Sequence, residues 1–276
     1  MLDSFNQRSL DFMVWLKRLP GATISSKIAL EDLRHRNAGR GVSKTTLLRF
    51  QSSVLTRFSV AVEDIAEGED LFTVPRHSIL CLENADLPTR LPQIFDELAP
   101  WTAMNLVLID EYLKGETSFW KPYFDVLPQT FDTLMFWTDD ELAELQASAV
   151  RGKIGRASAD DVFELYLVPF WKEHATALEK EHDTGPLTEV EVLALAHRMA
   201  STIMAYAFDL EKDDSQLHAD EDGYTTEDDD EDLPKGMIPL ADMLNANAAS
   251  NVCVFFHMIA VKADSSRHAS SIARSL

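Results

Sequence analysis

From about Leu91 to Phe208 the apolar residues of this chain recur at helical spacing, while the segments on either side read as short strands. A β domain interrupted by a helical insertion satisfies that order, which makes the fold class α+β; an alternating α/β fold does not. The helical runs are Met104 to Leu113, Glu141 to Val150, Ala159 to Ala177 and Glu189 to Phe208. Ahead of them, Leu10, Met13 and Leu16, beside Phe12 and Trp15, predict an opening helix that Pro20-Gly21 ends. Val60-Ala61-Val62, Leu71 to Pro75 and Ile79 predict strands around the Glu67-Gly68-Glu69 turn. Apolar Met237 to Leu244 then returns the chain to the β part.

Charge excludes more than it assigns. The net charge is −21, but Glu211 to Asp232 holds twelve acids and one lysine, so about half of the imbalance sits in one run of low hydrophobicity. Such a run is expected to be a solvated, disordered loop, because its acids repel one another and little apolar surface opposes the ordering entropy. The sign of the charge disfavours direct nucleic-acid binding. Cys81 and Cys253 are too few for a disulfide framework or a zinc cluster, so no metal is expected and a reducing, intracellular setting is. The N-terminus has neither a basic stretch nor an apolar core, so a secretory signal is not expected. The longest stretch free of Asp, Glu, Lys and Arg, Met243 to Val261, is broken by Asn245, Asn247, Asn251 and His257, so no membrane span is expected.

Two short elements bear on chemistry. Gly39-Arg40-Gly41 offers backbone that a ligand can approach closely, since neither glycine has a Cβ. Alone it reads more readily as a turn. Its weight comes from a second element far downstream, Met237-Ile238-Pro239-Leu240-Ala241-Asp242-Met243-Leu244-Asn245, followed by Ala246 to Asn251.

Together these elements resemble the two halves of the cofactor pocket in SET-domain lysine methyltransferases of the RuBisCO-methyltransferase-like branch, and within it the fungal ribosomal-protein lysine methyltransferases. Other phrases follow the same order: Phe12 to Leu16 with Gly21, Glu67 to Phe72 with Val74-Pro75-Arg76 as a hairpin, Ser118 to Phe124 with Leu127-Pro128, Trp137 with Asp140-Glu141-Leu142, and Met199 to Phe208. The resemblance covers roughly residues 5 to 251. It implies a SET β fold interrupted by a large helical insertion: residues 5–90 and 236–251 as the SET parts, 91–208 as the insertion and 209–235 as the acidic loop. It also implies S-adenosylmethionine as cofactor and methyl transfer to a lysine of a non-histone protein, a ribosomal protein first. A monomer is expected, in the nucleus rather than the cytoplasm.

By the same resemblance Gly39, Arg40 and Gly41 line the cofactor, Asn245 bonds its methionine end, Asp242 lies beside the transfer channel, and Tyr206 touches the carboxylate. The plainer readings are an Asn-rich turn, a strand-end acid and a core tyrosine. The chain departs from the pattern in carrying Ala246 where many relatives have His, and Tyr206 where many have Arg.

Larger departures concern two segments. Relatives run from the glycine loop directly into the next strand, whereas here the eighteen residues Val42 to Ser59 intervene, with Lys44, Arg49 and Arg57 and no acid. Val42-Ser43 can be encoded by a splice-donor sequence and Phe58-Ser59 can end in an acceptor, so 42–59 reads as a translated intron. Residues 252–276 read as a tail without family character. A lysine of pKa about 10.4 must lose its proton before attack, at a cost of roughly 4–5 kcal/mol at neutral pH. The tyrosine that assists this in SET enzymes is expected near the C-terminus and is not found after Asn251; Tyr224 lies outside the motif. The catalytic residue is therefore unassigned, and a truncated chain of weak or no activity is expected. The rival reading is a non-catalytic SET-like interaction module with an acidic loop. Cofactor binding and methyl transfer separate the two.

Overall fold

The structure is a computed structural model and describes residues 4–32, 40–43, 60–61, 65, 68–178, 186–210, 233–244, 252–255 and 260–263. It divides into two compact units. Unit 1 comprises residues 1–86, 122–126 and 206–276; unit 2 comprises 87–121 and 127–205.

Unit 1 opens with α1 (Ser4–Arg18), whose buried residues are Ser9, Phe12 and Leu16. That stripe is rotated from the predicted one: Leu10 lies on the outer face at 48% exposure, and only Leu16 of the Leu10, Met13, Leu16 set is fully buried. Ser9 is tolerated inward because its hydroxyl donates to the Phe5 carbonyl at 3.0 Å. Lys17 and Arg18 sit in the last turn, where they favour the helix dipole. Gly21, at φ +86°, then turns the chain where a side chain would be strained.

Among the described residues, ten short strands follow, in three antiparallel sheets. They are β1 (Thr23–Ile24), β2 (Ile28–Asp32), β3 (Arg40–Ser43), β4 (Val60–Ala61), β5 (Asp70–Thr73), β6 (Leu80–Cys81), β7 (Ala207–Asp209), β8 (Lys235–Met237), β9 (Val252–Phe255) and β10 (Ala260–Ala263). The sheet orders are β1-β5-β10-β9, β3-β2-β4 and β6-β8-β7. Two expectations change here. Among the described residues, the segments around Gly68 do not pair with each other: β4 pairs with β2, whereas β5 pairs with β1 and β10. Gly68 itself does turn the chain, at φ +76°. The second change is at the predicted tail, which supplies β9 and β10, with Val261 opposite Phe72 and Val254. Its Val-Cys-Val-Phe run has the β-branched and aromatic content of a strand. Val42 and Ser43 likewise belong to β3, opposite Leu30 and Ala29. Residues 44–59, the acidic run 211–232 and the serine-rich 265–271 lie outside the described residues.

Gly236 is central in the third sheet. A Cβ there would stand 2.6 Å from Leu210 Cδ1 and 3.0 Å from Ile79 Cγ2. Both neighbours are buried, so Gly236→Ala is expected to destabilise the chain by about 1–3 kcal/mol through overpacking. A urea unfolding midpoint equal to the parent's would contradict this.

Unit 2 is helical. Its elements are α2 (Leu87–Arg90), α3 (Pro92–Phe95), α4 (Pro100–Leu113), the start of α5 (Lys121–Phe124), α6 (Asp139–Ala143), α7 (Arg156–Val162), α8 (Val168–Leu178) and most of α9 (Glu189–Tyr206). Pro100 suits the first position of α4, where its missing N–H is not needed. That helix is apolar on nearly every side and is buried accordingly; Asn105, inside it, donates to the Ala196 carbonyl of α9 at 3.3 Å. The Glu141 to Val150 run is shorter than predicted: helix ends at Ala143, and Gln146 takes φ 50°. Those residues are mostly exposed, so no buried face extends the helix. Reciprocal Thr–Glu capping boxes start α6 at Thr138 and Glu141, and α9 at Thr188 and Glu191. In both, hydrogen bonds from the threonine hold the glutamate carboxyl below its usual range.

A π-helical turn, Phe163–Leu167, joins α7 to α8, with the Val168 N–H donating to the Phe163 carbonyl. Pro169 explains it: its ring clashes with the carbonyl four residues back, and widening the preceding turn relieves that. Within α4, Asp110 is fully buried and meets Lys114 Nζ at 2.9 Å and Arg90 at 3.2 Å. Lys114 also meets Glu111 at 2.5 Å, and the Ser118 hydroxyl donates to Glu111 at 2.6 Å.

Candidate functional site

The apolar run after β8 buries everything from Met237 to Met243. Backbone polarity there is met locally: a 3-10 turn over Ala241–Met243 forms, with the Asp242 N–H donating to the Ile238 carbonyl at 3.3 Å and that of Met243 to Leu240 at 3.2 Å. Entering that turn forces Leu240 to φ 73°, ψ −36°. A branched side chain at such angles is strained by about 1–3 kcal/mol, and strain of this kind concentrates at functional turns.

Asp242, 3% exposed, is the charged residue that this turn carries inward. Its Oδ2 accepts a 2.5 Å hydrogen bond from the Tyr123 hydroxyl, and Tyr123 is itself fully buried. Tyr123 arrives from α5, and its ring stacks on Phe12 of α1 with centroids 6.0 Å apart. Burial, then the charge of Asp242 and its hydrogen bond, and last the charge of Tyr206 push the Tyr123 phenol well above its ordinary range. The phenol therefore stays protonated and remains a donor.

The sign of that shift gives a pH dependence. A group whose folded value lies above the unfolded one, about 10 for tyrosine, contributes stability that is complete below pH 10 and is lost as pH rises through the folded value. Chemical unfolding from pH 9 upward is expected to show the parent losing stability faster than Tyr123→Phe. Parallel curves would contradict the assignment.

The sequence-predicted residues separate as follows. Arg40 and Gly41 lie in β3, opposite Asp32 and Glu31 of β2. The turn carrying Asp242 lies against β3, with Cα atoms within 8 Å. The turn of Asp242 and the strand of Arg40 and Gly41 are thus neighbours within unit 1. Tyr206, the last residue of α9, is half-buried and is felt electrostatically at Tyr123. Gly39 and Asn245 lie outside the described residues. Tyr123 was not singled out from the sequence; it sits in the Ser118 to Phe124 phrase, where its one signal is a phenol among Phe119, Trp120 and Phe124.

A buried carboxylate with a neutral phenol donor suits a cationic ligand group, since an opposite charge offsets the cost of burying the carboxylate. The strand of Arg40 and Gly41 lies against the turn that carries it. A sulfonium is one such cation.

The chain matches no protein-family model. It is 31% identical over 257 residues to ribosomal lysine N-methyltransferase 4 of Saccharomyces cerevisiae, a match covering 90% of this chain and 47% of the relative. It is 30% identical over 205 residues to N-lysine methyltransferase setd6 of Xenopus laevis, covering 71% and 42%. Among solved structures it resembles the SET domain of LSMT bound to lysine and AdoHcy, with TM-score 0.63, 19% identity, and coverage of 94% of this chain and 50% of that one. Rubisco LSMT bound to AdoMet gives TM-score 0.62 at 19% identity, with 93% and 49% covered. The chain spans about half the length of the curated relatives it matches.

Proposed function

Because this chain belongs to the RuBisCO-methyltransferase-like branch of SET-domain proteins, we propose that it serves S-adenosylmethionine-dependent methyl transfer to a lysine of a non-histone protein, a ribosomal protein first. The observation that carries the proposal is the meeting of the Asp242 turn with β3, the strand of Arg40 and Gly41, in a chain of this sequence and fold. The ribosomal substrate is supported by the name of the yeast relative.

When bound, S-adenosylmethionine supplies an electrophilic methyl group on a sulfonium. That methyl would pass to a neutral lysine amine, with a neutral thioether as the leaving group and one proton released. This chain's residues have the tasks of binding and orientation. We assign the backbone of Gly39, Arg40 and Gly41 to the cofactor's polar edge, Asn245 to its methionine end and Tyr206 to its carboxylate. We assign the buried Asp242 carboxyl, held by the Tyr123 hydroxyl, to the sulfonium side of the site, where a charge acts more strongly than in water. Holding amine and methyl in line removes much of the entropic barrier, worth several orders of magnitude.

The test has two stages. Calorimetry first measures binding of S-adenosylmethionine. Label from the cofactor is then sought on lysine in purified ribosomal subunits, by mass spectrometry. Binding with methylated lysine supports the proposal and sets aside the weak or absent activity expected from the sequence; failure to bind the cofactor would overturn it.

A further inference from the structure

Tyr123 belongs to a five-residue return, Pro122–Val126, that brings the chain from the helical unit into unit 1. Its ring is fully buried and stacked on Phe12. For packing alone, phenylalanine would bury the same ring without the cost of desolvating a hydroxyl. The hydroxyl instead donates at 2.5 Å to Asp242, a carboxylate 119 positions away. The turn that carries it is strained at Leu240 and lies against the strand of Arg40 and Gly41. A buried donor, a buried acid and a strained turn thus converge on one oxygen.

We propose that Tyr123 is a positioning residue of the transfer site, its hydroxyl fixing the Asp242 carboxylate beside β3 so that a buried negative charge is held for the sulfonium of S-adenosylmethionine. This rests on the function proposed above and adds to it a residue and a task. A charge-assisted hydrogen bond to one carboxylate oxygen sets both the rotamer and the direction of the charge. The consequence is selectivity for ligand charge. S-adenosylmethionine carries the sulfonium, whereas S-adenosylhomocysteine has a neutral thioether at the same place and keeps every other group.

The experiment is calorimetric binding of both ligands to the full chain and to Tyr123→Phe and Asp242→Asn, with thermal unfolding alongside. For Tyr123→Phe, affinity for S-adenosylmethionine is expected to fall about tenfold, as for loss of one charge-assisted hydrogen bond, while affinity for S-adenosylhomocysteine changes by less than about twofold. Asp242→Asn is expected to show the same selective loss with the phenol still present. Equal weakening of both ligands by Tyr123→Phe would reduce Tyr123 to packing and overturn the proposal. Should Tyr123→Phe fail to fold, Asp242→Asn decides: an unchanged ligand ratio leaves no charge to position and overturns the proposal, and a selective loss supports it. A parent chain that binds neither ligand would overturn the methyltransferase reading, and this proposal with it.

Discussion

Asp110→Ala is expected to lower the unfolding free energy by about 3–5 kcal/mol, the range for removing one partner of a buried ion pair. Asp110 is fully buried, and its removal strips Lys114 Nζ and Arg90 of an oxygen within 2.9 and 3.2 Å. Lys114 retains Glu111, which places the loss toward the lower end of that range. Arg90→Met should cost less, because Arg90 is 28% exposed and water reaches the vacated side. Tryptophan fluorescence suits the measurement, since Trp101, Trp120, Trp137 and Trp171 all lie in the helical unit. A urea midpoint for Asp110→Ala matching the parent's would show that the cluster contributes nothing net. Replacing all four charges by apolar residues of similar volume is a different experiment and is expected to be close to neutral.

The second large effect concerns chemistry. On the proposed function, Asp242→Ala is expected to reduce methyl transfer by about a hundredfold or more, as removal of a preorganised electrostatic group does elsewhere. It also leaves the Tyr123 hydroxyl without the carboxylate it donates to, at a cost of about 1–3 kcal/mol in stability. Initial rates with labelled cofactor, at a temperature well below the variant's melting point, separate the two losses. Rates within about twofold of the parent's would remove Asp242 from the site.

The helical insertion was legible in part: α9 begins and ends close to its predicted run, and α4, apolar on nearly every side, ends where predicted but begins earlier, whereas the Glu141 to Val150 run kept only its first residues as helix. Strand pairing was less so. Val60-Ala61 and Leu71-Phe72 look like the arms of one hairpin, but which strand receives them depends on partners as distant as Ile28 and Val261. The Val252 to Phe255 strand carried a strand signal of its own, and absence of family character concealed it. The Asp242 turn and the glycine strand were legible as short motifs. Their junction with Tyr123 was not, because no local pattern marks a hydrogen bond between residues 119 positions apart. The Leu240 strain was equally hidden, since leucine gives no hint of a positive φ.

Unit 1 is written in three separate stretches, residues 1–86, 122–126 and 206–276, whereas unit 2 is complete once Ala205 has been made. Synthesis runs in one direction, so the helical unit has all its parts while β5 still waits for β10 and Tyr123 for Asp242. Local helical contacts form quickly and distant strand pairing slowly. A nascent chain therefore holds one edge of β5 unpaired until Ala260 to Ala263 emerge from the ribosome, while β1 can already pair its other edge. Its exposure to aggregation is greatest in that interval.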